Sequence, residues 1–142
     1  VAVPDYEVST KLARSLIPEE MPHVEAVANS ARAALLVRTL SDAPEYLMDA
    51  TVDHLHQGYR VTAMEPSAVL VAYLRSQGFA AVISGAGPTV LTFAHGDEQV
   101  RQVQDAIAEF EATHPSSVIA DRRLNWRVLP LEIDTEGVIV TQ

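Results

Sequence analysis

Phe79-Ala80-Ala81-Val82-Ile83-Ser84-Gly85-Ala86-Gly87-Pro88-Thr89-Val90-Leu91-Thr92-Phe93 reads as two apolar runs joined by a glycine-bearing turn. The runs from Phe79 to Ile83 and from Thr89 to Phe93 carry the apolar and β-branched side chains that suit extended backbone. Gly85 and Gly87 lack Cβ, so each is free to take a positive φ or to admit a ligand close to bare backbone, while Pro88 fixes its own φ and restricts Gly87. An ordinary hairpin turn is compatible with the same residues. The turn lacks the Lys and Ser or Thr of a Walker loop, so it is not a phosphate-binding loop of that kind.

Working outward from this hairpin gives the element order. Before it, Val1 to Val3 is a short apolar run closed by Pro4, as suits a strand end or a sheet edge. Ser9 is placed to cap a short helix that stops before Pro18. Pro22 suits the first turn of a longer helix in which Val24, Val27, Ala31, Ala34 and Leu35 recur at helical spacing. Pro44 opens a third helix, with Leu47, Ala50 and His54 or Leu55 on one face, ending near Gly58. Pro66 opens a fourth whose run from Ala68 to Leu74 is apolar on nearly all sides, making it the most buried helix, and Gly78 stops it. After the hairpin, Val100, Val103, Ile107 and Phe110 make a helical stripe, and a strand follows from Trp126 to Ile133. The order is βαββαβ: an α+β, ferredoxin-like two-layer sandwich with its first crossover expanded into several helices. One domain spans 1–142. His114 to Asn125 has no clear pattern, and the tail beyond Asp134 is either a further short strand or a loose end.

Composition narrows function. The 142 residues are 48% hydrophobic, enough to bury a core, yet no apolar run approaches the roughly 20 residues that span a bilayer. There is no cysteine, which removes disulfides, thiolate catalysis and cysteine-ligated zinc and fits a cytoplasmic setting. A net charge of −9 argues against nucleic acid and anionic membrane as partners. An anion site must be local, and because Lys11 is the single lysine, guanidinium forks would build it. Val1 stands in what reads as a strand already under way, so the chain is expected to be a piece of something longer.

Individual clusters admit several roles. Thr10 and Arg14 are one helical turn apart and would share a face, able to hold a small ligand or simply to meet solvent and Glu7. Arg60 follows a helix, where a cation also complements the carbonyl end of the dipole. His54 and His56, two apart on a helix, would point to nearly opposite sides and so do not suggest a shared metal ion. No spacing of Ser, His and Asp suggests a catalytic triad.

Taken together, Val3-Pro4-Asp5, Ser9-Thr10-Lys11-Leu12-Ala13-Arg14, Leu55-His56-Gln57 with Tyr59-Arg60, and Ser84 to Thr89 resemble the carboxy-terminal half of the homoserine kinases, members of the galactokinase, homoserine, mevalonate and phosphomevalonate (GHMP) kinase superfamily. The resemblance runs over nearly the whole chain. It implies that Thr10, Arg14, Arg60 and Gly85 line an amino-acid pocket for L-homoserine. The loop Ser84, Gly85, Ala86, Gly87, Pro88, Thr89 would be the third superfamily motif, lying against the phosphate-binding loop of an amino-terminal kinase domain. ATP and Mg would be bound mainly by that half, which is expected to be absent here, with its glycine-serine phosphate loop, leaving no catalytic residue and no metal ligand in this chain. A homodimer is expected, and the isolated chain would be inactive. Gly58 departs from the pattern, standing where the family commonly has proline. Two alternatives stay open: another small-molecule kinase of the superfamily, or a non-catalytic amino-acid-sensing or dimerisation module.

Overall fold

The computed structural model describes residues 1–114, 118–119, 122–134, 136–138 and 140. Its main sheet has four strands, β1 (Ala2–Pro4), β2 (Ala80–Ile83), β3 (Val90–Phe93) and β6 (Trp126–Val128), in the order β2-β3-β1-β6. Every neighbouring pair is antiparallel. That order and the helices between the strands make the α+β, ferredoxin-like arrangement. β1 touches β3 only at Ala2↔Val90, whereas it pairs with β6 from Ala2↔Val128 to Pro4↔Trp126. Pro4, which has no N–H to donate, therefore sits where β1 has no paired residue on its β3 side. Elsewhere β4 (Val118–Ile119) and β5 (Arg122–Arg123) form a separate small hairpin.

The two faces of the β2-β3 hairpin do different jobs. Ile83↔Val90 and Val82↔Leu91 are adjacent pairs, so their side chains leave on opposite faces. Ala81, Ile83 and Val90 face α5 (Glu65–Ser76) and α6 (Gly96–Thr113), and with Leu70, Leu74, Val103, Ile107 and Phe110 they form one core. Phe110, Leu70 and Leu74 are fully buried, each contributing about 1.5–3 kcal/mol of transfer free energy. The stripe read in the sequence for α6 is the face that packs. α5 buries Pro66, Ser67, Leu70 and Leu74, and its first turn holds Pro66, where a missing N–H costs nothing.

The expanded crossover contains α1 (Thr10–Ser15), α2 (His23–Ser41), α3 (Leu47–Ala50) and α4 (Gln57–Arg60), with 3-10 turns at Pro44–Tyr46 and Val61–Ala63. Ser9 caps α1, its Oγ accepting from the Leu12 amide at 3.1 Å. One expectation fails here. The continuous helix from Pro44 to Gly58 is broken after Ala50, because side chains capture the backbone: Thr51 Oγ1 donates to the Leu47 carbonyl, and the Asp53 carboxylate accepts the amides of Leu55, His56 and Gln57. Gly58 consequently lies inside α4 and does not end a helix, and the helical argument about His54 and His56 loses its premise.

The helical spacing read for α2 holds, but the stripe is not what packs. Val24 and Val27 are 73% and 54% exposed, and Ala31 and Ala34 are exposed as well, so it is largely uncovered. The helix packs instead on α3 and the Pro44–Tyr46 turn, through other positions. The last strand is also shorter than the expected Trp126 to Ile133: Leu129 still exchanges backbone bonds with Val1, but residues 129–134 form no strand. The unpatterned stretch 114–125 lies partly outside the described residues, as does the tail. No helix among the described residues is long and apolar enough to cross a membrane.

Candidate functional site

The Ser84–Thr89 turn is closed by its own backbone. Ser84 N–H donates to the Thr89 carbonyl at 2.8 Å and Gly87 N–H to the Ser84 carbonyl at 3.0 Å. Gly85 and Gly87 both have positive φ, +59° and +84°, and the Gly87–Pro88 peptide bond is cis. Their surroundings differ. A Cβ at Gly87 would fall 2.6 Å from Met64 Sδ and 3.0 Å from Ile83 Cγ2, whereas one at Gly85 would meet nothing within 4 Å. Gly87 is held against the core and Gly85 faces open space.

Three side chains from other elements fix this turn. Arg60, at the end of α4, donates from Nη1 to the Gly85 carbonyl at 2.9 Å. Gln57, one turn earlier, accepts the Ile83 amide on Oε1 at 2.6 Å, so α4 grips the hairpin just before the turn and within it. From α5, Ser67 donates to the Pro88 carbonyl at 2.6 Å. Ser67 Oγ also lies 2.5 Å from the Tyr6 hydroxyl. Since the serine proton is committed to Pro88, the phenol must be the donor in that second bond. Burial holds the Tyr6 phenol above its ordinary pKa, so it stays protonated.

Beside the turn opens a cleft of about 480 Å³, within the range of small-molecule sites. Its floor is the second face of the hairpin, Val82, Leu91 and Phe93, and its sides are α2 and the segment from Ala50 to Arg60. Arg60 and Gly85 both line it. Thr10 and Arg14 do not: they are exposed on α1, and Arg14 has no ion pair among the described residues. The sequence-derived set is thus brought together only in part. His56 lines the cleft with Nδ1 3.4 Å from Asp53, while His54 donates its backbone amide to Asn29 Oδ1 at 2.9 Å. No group of three or more His, Cys, Asp or Glu among the described residues could hold a metal ion.

Tyr6, Met64 and Ser67 were invisible as site residues in the sequence because each reads as ordinary core. Asp53 carried the one usable signal, an acid just before a short helical segment, which is a capping pattern.

Strand order, a helical first crossover and a clamped glycine hairpin opening on a cleft define an α+β domain with a glycine turn at the edge of a cavity. The chain belongs to the family GHMP kinases C terminal, whose model matches residues 31–112. Among curated relatives it is 42% identical over 140 residues to the homoserine kinase of Clavibacter michiganensis subsp. michiganensis, covering 99% of this chain and 41% of that protein. It is 55% identical over 97 residues to the homoserine kinase of Streptomyces coelicolor, covering 68% of this chain and 31% of that protein. A crystal structure of homoserine kinase from Cytophaga hutchinsonii superposes with a TM-score of 0.65 at 24% identity, over 77% of this chain and 36% of that one. That likeness concerns the fold. The chain spans less than half the length of these curated relatives, 41% and 31% respectively.

Proposed function

We propose that this chain is the substrate-binding, carboxy-terminal part of an ATP-dependent homoserine kinase, forming O-phosphohomoserine on the route to threonine in the cytoplasm. The observation that carries the reading is the Arg60–Gly85 contact, which sets a buried guanidinium beside the open side of the glycine turn. A guanidinium there suits the carboxylate of an amino acid, and fixing that end leaves the terminal hydroxyl to meet the γ-phosphate. Thr10 and Arg14 would complete the pocket from α1, as the family resemblance implies. The turn itself would meet the phosphate donor. ATP and Mg would be held mainly by an amino-terminal kinase domain, as the family resemblance implies. A homodimer would be the working assembly.

The test has two arms. Purified alone, this chain is expected to form no O-phosphohomoserine from L-homoserine and ATP, because positioning the transferred phosphoryl group and its metal supplies most of the catalysis. In the full-length enzyme, Arg60→Ala should lower kcat/KM for homoserine by about ten- to a hundredfold, the loss of a charge-assisted bond, with KM for ATP little changed. Normal homoserine kinetics in Arg60→Ala would refute the assignment.

A further inference from the structure

The cleft contains two guanidiniums and only one carboxylate, and the carboxylate is already engaged. Arg32 on α2 and Arg60 on α4 both line it. Asp53, its single acidic residue, spends its oxygens on the backbone amides of Leu55, His56 and Gln57. Neither arginine forms an ion pair with an acid among the described residues. Among the described residues, the Arg32 side chain bonds only to the Ala28 carbonyl of its own helix, at 3.2 Å, and that of Arg60 only to the Gly85 carbonyl. The Nε of each is buried without a partner, and Arg60 as a whole is 7% exposed. A guanidinium has five donors and does not give up its proton, so burying Arg60 and the Nε of half-buried Arg32 at one cavity is costly unless an anion compensates.

The surroundings narrow the anion. The chain carries a net charge of −9, so this excess of positive charge is local and opposes the whole. With Asp53 counted, the lining favours a monoanion over a phosphate. Leu36, Val52, Val82, Leu91 and Phe93 supply apolar walls. We propose that the cleft binds a small aliphatic carboxylate, with Arg32 and Arg60 gripping its acid group together and the apolar walls receiving its carbon chain. The proposal rests on the reading of Arg60 as a carboxylate ligand and adds Arg32, on α2, as the second guanidinium.

Arginine Nε–Hε resonances of the ¹⁵N-labelled chain report directly on the groups concerned. The signals of Arg32 and Arg60 are assigned by their loss in Arg32→Lys and Arg60→Lys. Sodium butyrate and L-homoserine are then titrated separately against sodium chloride at matched ionic strength. Butyrate should shift both signals saturably. Its Kd should rise about tenfold or more in Arg32→Gln, as for a lost charge-assisted bond, but not in Arg38→Gln, whose guanidinium pairs with Asp42 on the surface. Lysine at position 32 should recover part of the affinity, because it restores the charge and not the fork. Dispersed amide spectra confirm that each variant is folded. Butyrate that moves no arginine beyond the chloride control, or an undiminished affinity in folded Arg32→Gln, overturns the proposal. Homoserine that moves Arg60 and Arg14 with Arg32 silent also overturns it while sparing the homoserine reading. Butyrate that engages Arg32 and Arg60 where homoserine engages neither upholds the cleft and removes the homoserine reading.

Discussion

Removing one buried hydroxyl should loosen the glycine turn. Ser67 is fully buried and links Tyr6, in the connection after β1, to the Pro88 carbonyl inside the turn. Ser67→Ala leaves the Pro88 carbonyl without this donor, at about 1–3 kcal/mol for a buried unsatisfied group. The half-buried Tyr6 hydroxyl also loses its acceptor, at about 0.5–1.5 kcal/mol for a neutral bond. Together the loss is about 2–4 kcal/mol. At this chain length each kcal/mol lowers Tm by roughly 3–5 °C, so a fall of about 6–20 °C is expected. Tyr6→Phe should cost only about 0.5–1.5 kcal/mol, because Ser67 keeps its bond to Pro88. Urea unfolding followed by circular dichroism, on the two single variants and the double variant, measures both the costs and their coupling. The hydroxyl of Tyr6 has no acceptor left once Ser67 is alanine, so the double variant should be less destabilised than the sum by at least about 0.5 kcal/mol. Strict additivity, or a Ser67→Ala variant within about 0.5 kcal/mol of the parent, would refute the relay.

The two glycines of the turn should separate in the same assay. Gly85→Ala carries only left-handed backbone strain, about 1–2 kcal/mol, whereas Gly87→Ala adds the clash with buried Met64, about 1–3 kcal/mol more, so equal losses would refute the placement of Met64. Arg75→Met should cost about 2–4 kcal/mol, because Arg75 donates to the Met48 carbonyl at the end of α3, to Thr51 Oγ1 and to the Ala81 carbonyl of edge strand β2. A loss under about 1 kcal/mol would show that solvent replaces these bonds. Alkaline stability should depend on Tyr6: its folded pKa is raised by burial, so its contribution is complete below the unfolded value of about 10 and is lost as pH rises through the folded value. Tyr73 is raised as well, by burial and by Glu109, so Tyr6→Phe should make the decline above about pH 10 shallower without abolishing it. An unchanged alkaline slope in Tyr6→Phe would contradict the phenol's burial.

Periodicity identified what packs locally and misjudged what does not. The α6 stripe and the hairpin were legible because Val103, Ile107 and Phe110, and Ile83 opposite Val90, repeat with the period of their own element and meet one core. The same logic applied to α2 found a real stripe of Val24, Val27, Ala31 and Ala34 but could not say what it faces, and this chain leaves it uncovered. The break after Ala50 escaped because Thr51 and Asp53 compete for backbone partners by side-chain bonds that a hydrophobic pattern does not register. At the site, Gly85 and Arg60 could be named from local motifs, yet what holds them is non-local. Tyr6 reaches Ser67 across 61 positions, Ser67 reaches Pro88 across 21, Arg60 reaches Gly85 across 25, and Gln57 reaches Ile83 across 26. Each bond joins a polar group to a partner that only the finished fold supplies. Ser67 and Arg32 illustrate the consequence from opposite sides. A serine in an apolar helix and an arginine on an alanine-rich one each look ordinary in sequence, and each gains its meaning from the turn and the cleft that distant residues assemble around it.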